Sequence, residues 1–346
     1  MSGKRKAILH IGTEKTGTST LQTFLSRNRE RLNANGFHYP RFAGAINHTR
    51  LGAYAAADEV RDDLRIDIGV TDAEALAAFR SRLDAEAAEE VAAHPGRTFV
   101  FSNEHCSSRL TTPAEIARLR DFLARHFDEV TVTVYLRRQD MVAVSLYSTL
   151  LKFGGDRREI LPDPSLRPDY WDYGSLLARW AQAFGRGAVV PCIFDRAGLA
   201  GGSVVTDFVE RWGLGGGLEP VANANESLQP AAQEVLRRLN TAFPGYVDGD
   251  LNRMRGELGY RFGKLFAGRG LRPSRVEAEA FYRHFAEANE ACRAEWFPGR
   301  STLFDEDFSA YPEEADPREV SFEQTIGIMR ELWRETQANE LRLRHD

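Results

Sequence analysis

Short apolar runs alternating with helical stretches predict an α/β protein, a central, mostly parallel sheet flanked by helices, followed by a helical C-terminal region. Three observations carry that expectation. Strand-like runs occupy 7–11, 98–102, 130–136 and 188–194; helical periodicity fills the intervals; and a turn rich in glycine and hydroxyls follows the first run directly.

Taken in order, residues 7–11 are apolar enough for a buried strand, and Gly12 to Gly17 is turn chemistry. From 18 to about 35, Leu21, Phe24, Leu25 and Leu32 recur at helical spacing, with Gly36 placed as a C-terminal cap. An alanine-rich helix is predicted over 72–93, a strand over 98–102 and a helix over 113–126. The β-branched run Val130-Thr-Val-Thr-Val predicts a third strand to 136, then a helix over 140–152 and a fourth strand over 188–194. Three prolines (Pro162, Pro164, Pro168) make 154–172 a long surface loop, and from 274 the pattern is helical, broken near Phe297 and Tyr311. The whole of 1–346 reads as one domain, with an α/β core over 1–215 and a mainly helical part over 216–346.

Composition narrows the function classes. The 346 residues carry a formal charge of −5, which argues against a general nucleic-acid binder. No run free of Asp, Glu, Lys and Arg exceeds 11 residues, well short of the ~20 that a membrane span needs. The N-terminus lacks a signal-peptide core, and three cysteines without a CxxC pair suit neither a disulfide framework nor a cysteine zinc cluster. A reduced, cytoplasmic protein is expected. Of the 45 basic side chains, five are lysine and 40 arginine, so each lysine is conspicuous. Residues 243–275 hold seven basic and three acidic side chains, a locally positive stretch that reads equally as a ligand-facing segment or a solvated loop.

The segment Gly12-Thr-Glu-Lys15-Thr16-Gly17-Thr18-Ser19-Thr20 lies between strand and helix. A helix N-terminus presents N–H groups and partial positive charge, and glycines let the backbone curl around an anion. Lys15 adds a point charge and the hydroxyls add donors. A Walker A loop is excluded, because its lysine follows the second glycine, whereas Lys15 precedes Gly17. Glu14 sits awkwardly beside an anion and must turn toward solvent or toward a second substrate.

This turn resembles the 5′-phosphosulfate loop of the sulfotransferases that use 3′-phosphoadenosine 5′-phosphosulfate (PAPS), of bacterial type. Their 3′-phosphate element is an arginine at a strand end and a serine eight residues on; Arg137 and Ser145 reproduce that spacing after the strand ending at 136. By itself Arg137 reads equally well as the partner of a surface carboxylate, but an arginine fork and a helix hydroxyl can also converge on one phosphate. The resemblance covers 7–27 and 97–152, extends loosely to 188–195 and is weak over the last 120 residues. It implies a P-loop-like three-layer fold and PAPS as donor, with no metal. Lys15 would then act on the bridging oxygen of the leaving phosphate, and the N–H groups of Thr16, Gly17, Thr18, Ser19 and Thr20 would hold the 5′-phosphate.

An acceptor hydroxyl or amine also needs a base. Family members place a glutamate or a histidine there, and the cytosolic ones carry Lys-Thr-His after a comparable strand. Asn103-Glu104-His105 follows the strand at 98–102 without that lysine. Glu104 is the first candidate, His105 the second and His48 the third, a structural role being favoured for His48. Family analogy makes the acceptor a carbohydrate or glycolipid. The rival readings are a nucleotide-dependent kinase and a non-catalytic 3′-phosphoadenosine-binding protein.

Overall fold

The computed structural model describes residues 4–195, 197–222, 227–248 and 250–343, without the side chains of 339–343. The chain divides into two compact units built from interleaved segments: Met1–Arg137, Arg167–Ala224 and Ala286–Asp305 form the first, and Arg138–Leu166, Asn225–Phe285 and Glu306–Asp346 the second.

The first unit contains a five-stranded parallel sheet. Its strands are β1 (Lys6–His10), β2 (Phe37–His38), β3 (Thr98–Ser102), β4 (Glu129–Leu136) and β5 (Val189–Ile193), in the order β2-β3-β1-β4-β5. The α/β expectation holds, and the four long strands fall within a residue or two of their predicted positions. β1 runs parallel to both neighbours, pairing His10 with Ser102 of β3 and with Thr133 of β4. Because the chain leaves β1 for one side of the sheet and later returns to the other, the carboxyl end of β1 is the topological switch point. In open parallel sheets that is where a ligand crevice forms.

β1 reads Ala-Ile-Leu-His behind an exposed lysine, and every residue after Lys6 is buried, as a central strand covered on both faces requires. Helix α1 (Thr18–Arg27) packs Leu21, Phe24 and Leu25 against Ile8, Val100, Tyr135 and Phe208. The helix predicted from 18 to 35 is in fact two, broken at Asn28. Its amide donates to Phe24 O (2.9 Å) and Glu219 O (2.9 Å), and its Oδ1 accepts from the Glu219 N–H (2.8 Å). A tertiary contact therefore redirects a chain whose local periodicity is continuous.

The second unit is helical. Helix Gln139–Lys152 packs with Pro230–Ala242, Leu258–Leu265 and Arg275–Arg283, and Phe322–Leu343 covers part of that group. Its core gathers Tyr147, Leu151, Leu236, Phe262, Phe266 and Ile328. Among the described residues no helix is long and apolar enough to cross a membrane.

Residues 243–275 contain a small hairpin, β6 (Tyr246–Val247) with β7 (Asp250–Leu251), and the helix Leu258–Leu265. Their positive charge is largely met by distant acids. Arg261 and Lys264 pair with Glu335, Arg269 and Arg272 with Asp316, and Arg275 with Glu313. Arg255 donates to Asn240 Oδ1 and to the carbonyls of Phe243, Leu151 and Lys152. The stretch is basic in sequence but substantially neutralised in space, which removes most of the charge that a ligand-facing role would use.

Candidate active site at the carboxyl end of β1

The turn after β1 stays attached to β4 beyond the strand proper. Ile11 N–H donates to Thr133 O (2.9 Å), Tyr135 N–H to Gly12 O (2.7 Å) and Thr13 N–H to Tyr135 O (3.0 Å). The chain then makes two left-handed steps, at Lys15 (φ 64°) and Gly17 (φ 78°), and enters α1 at Thr18. A lysine in that region is uncommon and costs on the order of 1 kcal/mol, a strain that collects at functional turns. Gly17 has a second reason to be glycine: a Cβ there would lie 2.8 Å from Val204 Cγ1.

The first intrahelical bond runs from Leu21 N–H to Gly17 O (3.1 Å), and no side chain caps the helix. The N–H groups of Thr18, Ser19 and Thr20 precede that bond, at the positive end of the helix dipole, as an anion site requires. The hydroxyls divide differently from expectation. Thr16 is fully buried and its Oγ1 donates inward to Thr13 O (2.6 Å). Its hydroxyl is thus a brace of the turn rather than part of an outward row of donors.

Arg137, at the end of β4, meets this turn. Its Nη1 donates to Lys15 O (2.6 Å), its guanidinium lies over the Phe194 ring (5.3 Å), and its own carbonyl accepts the Tyr173 hydroxyl (2.6 Å). The two sequence motifs, 122 residues apart, are therefore in direct contact. The next residue does something else: Arg138 forms a buried ion pair with Asp140 (2.8 Å) inside the second unit. Ser145 also belongs to that unit, partly exposed on helix Gln139–Lys152, where its neighbour Ser148 is buried and accepts the Leu228 N–H (3.0 Å).

The segment after β3 forms the other side. Glu104 Oε2 accepts from Gln22 Nε2 (2.6 Å) and Asn47 Nδ2 (3.2 Å), which anchors the carboxylate between α1 and the segment before His48. A Cβ at Gly12 would come 2.9 Å from the Glu104 Cα, so the turn and Glu104 are in close backbone approach. Glu14 turns toward this side. Its Oε2 accepts the Tyr170 hydroxyl (2.7 Å), its Oε1 accepts Ser108 Oγ (3.1 Å), and Oε1 lies 3.9 Å from His105 Nδ1. Burial, reinforced by Glu14, pushes the Tyr170 phenol well above its usual range, so it stays a donor. Two buried polar atoms, His105 Nδ1 and Asn47 Oδ1, have no hydrogen-bond partner. Both belong to residues that adjoin or touch Glu104.

His48 does not join this group as a base. It is fully buried, its Nδ1 accepts the Ser102 N–H (3.2 Å), and its Nε2 is left to donate to Pro40 O (3.0 Å). Burial pulls its pKa down to about 3. Both nitrogens are committed to backbone, and protonation is disfavoured, so the ring serves as a neutral plug. Its carbonyl also accepts Asn103 Nδ2 (3.0 Å), tying the His48 segment to the one that carries Glu104.

Sequence reasoning singled out Lys15, Arg137, Glu104 and His105, all at this strand end. It passed over Gln22 and Asn47, and it favours a helix anchor over a sugar-stacking role for the aromatic cluster Tyr170-Trp-Asp-Tyr173.

No protein-family profile matches the chain. An uncharacterized protein of Archaeoglobus fulgidus is 29% identical over 214 residues, 60% of this chain, and the match spans 57% of that relative's length. Among solved structures, a sulfotransferase from Alicyclobacillus acidocaldarius aligns with 69% of this chain and 94% of its own, at 16% identity and a TM-score of 0.39.

Proposed function

We propose that this protein is a sulfotransferase that moves a sulfuryl group from PAPS to a hydroxyl or amine of a carbohydrate or glycolipid, in the cytoplasm. The observation that carries the reading is the contact between Arg137 and the Lys15 carbonyl. It joins the two motifs that resemble the family's phosphate elements at the switch point of the sheet. Residues that would hold the donor are Lys15 and the N–H groups from Thr16 to Thr20, with Arg137 for the 3′-phosphate.

In the reaction the acceptor oxygen or nitrogen attacks sulfur while the bond from sulfur to the bridging phosphate oxygen breaks, and 3′-phosphoadenosine 5′-phosphate leaves. Such in-line transfers proceed through loose transition states and depend on positioning and on stabilising the leaving oxygen. The Lys15 ammonium meets that oxygen as its negative charge grows. The acceptor's proton passes to Glu104, which Gln22 and Asn47 hold in place, or to His105, which faces the Glu14 carboxylate.

Thermal shift or calorimetry with 3′-phosphoadenosine 5′-phosphate against ADP, repeated in Arg137→Ala, tests the donor. Stabilisation by the former alone, lost in the variant, is expected. Equal stabilisation by ADP, dependent on magnesium, would favour a kinase, and no stabilisation by either would end the donor assignment.

A further inference from the structure

The C-terminal helix Phe322–Leu343 has two apolar faces, and only one is covered among the described residues. Ile328 is buried and Leu332 packs beside it against the core of the second unit, where Arg261 also bonds Glu335 and the Leu332 carbonyl. The other face carries Phe322, Ile326, Met329 and Trp333, exposed to 75%, 44%, 58% and 66%. At 100° per residue these four fall within a sector of about 60°, a continuous stripe some three turns long. Four large apolar side chains aligned in solvent make the kind of patch that monomers avoid.

We infer that this stripe is the interface of a homodimer in which two copies of the helix pack antiparallel about a two-fold axis. The charges beside the stripe, where Glu331 already meets Arg330 (3.5 Å) and Arg334 (2.9 Å), still favour one occupant and one orientation. Glu323, Arg330 and Arg334 lie together along one flank, about 70–110° from the stripe's centre, where pairing residues flank a helix–helix seam. In an antiparallel two-fold pair this flank faces the same flank of the second copy; in a parallel pair it faces the opposite flank, which carries Thr325 and Thr336.

Centring the axis between Gly327 and Ile328 sets Phe322 opposite Trp333 of the second copy, and Ile326 opposite its Met329. With a rise of about 1.5 Å per residue, Glu323 then lies about 3 Å along the axis from both Arg330 and Arg334 of the second copy. The arrangement occurs twice by symmetry, so one register satisfies the apolar stripe and both acidic residues. A lipid surface is disfavoured, because the exposed charges of this region mix Glu323 and Glu331 with Arg330 and Arg334. Interfacial helices are instead dominated by Lys and Arg on the polar face. A contact of this length buries on the order of 1,000 Å² in total, the lower edge of specific interfaces, so a concentration-dependent dimer is expected.

Sedimentation velocity from about 1 to about 100 µM tests the inference. The wild-type chain should run as a dimer at the upper end, and Ile326→Glu or Trp333→Glu as a monomer with unchanged circular dichroism. Reversing Arg330 and Arg334 to Glu should weaken the dimer about tenfold or more, and adding Glu323→Arg should restore it. A wild-type monomer throughout, or a dimer indifferent to Ile326→Glu, overturns the proposal. Failure of the triple reversal to restore dimerisation overturns the antiparallel order. Wild-type binding to vesicles of phosphatidylglycerol, lost in Ile326→Glu without any dimer in solution, would assign the stripe to membranes instead. None of these outcomes depends on the sulfotransferase reading.

Discussion

Lowering the pH from 7 to 5 should cost this protein about 4 kcal/mol of stability, through two histidines that the fold buries as neutral rings. His10 ends β1, with Nδ1 against Ser102 Oγ (2.8 Å), and burial pulls its pKa down to about 4. His48 lies across β3, and its pKa falls to about 3. In the unfolded chain both titrate near 6.5. The folded pKa values are depressed, so the stability they provide is complete above about pH 6.5 and is lost as the pH falls, because the unfolded state takes up protons that the native state refuses. Each group loses about 1.4 kcal/mol per pH unit over some 1.5 units, close to 2 kcal/mol apiece by pH 5. His126, also lowered by burial, adds to the loss in the same direction. Urea unfolding followed by the fluorescence of the five tryptophans, at both pH values and constant ionic strength, measures the difference. His48→Gln, whose amide can keep one acceptor and one donor toward the Ser102 N–H and the Pro40 carbonyl, should abolish roughly half of the loss. Equal stability at pH 7 and 5, or a full loss retained in His48→Gln, would refute the reasoning. Because His48 also ties down Asn103, activity should decline with stability over the same interval.

On the proposed reading, Lys15→Ala should reduce sulfuryl transfer by about 10² or more, the scale of losing one preorganised charge-stabilising donor, with the melting temperature unchanged; near-normal turnover would contradict the proposed role. Arg137→Lys keeps the charge but loses the planar fork that bonds the Lys15 carbonyl and lies over Phe194. Calorimetry with 3′-phosphoadenosine 5′-phosphate should show affinity reduced about tenfold or more, and wild-type affinity would remove the need for a fork. Gly17→Ala combines a left-handed backbone with a Cβ 2.8 Å from Val204 Cγ1. It should cost about 1–3 kcal/mol in thermal unfolding, and an unchanged melting temperature would show that the turn relaxes freely.

The elements legible in the sequence are those whose signal is contained within them. Val130-Thr-Val-Thr-Val is strand-forming wherever it lies, and Gly12 and Gly17 around Lys15 mark a turn that needs left-handed backbone. The edge strand Phe37–His38 escaped because two residues have no periodicity; it exists through pairing with Thr98 and Phe99. Asn28 looked like any helical polar residue until Glu219, 191 positions away, supplied its partners. Residues 243–275 looked positive because Glu335, Asp316 and Glu313 lie outside them. The two compact units likewise interleave segments that no composition shift along the chain announces.

By itself the sequence determined the α/β class, the glycine- and hydroxyl-rich turn after the first strand and the candidates Lys15, Arg137, Glu104 and His105. Tertiary structure alone decided what each polar group does: that Thr16 braces the turn, that His48 is locked neutral against backbone, that Glu14 turns to Tyr170, Ser108 and His105. The division has one physical cause. Backbone propensity and burial periodicity are properties of neighbours in the chain, whereas a hydroxyl, an imidazole or a carboxylate takes its role from the partner it finds across space.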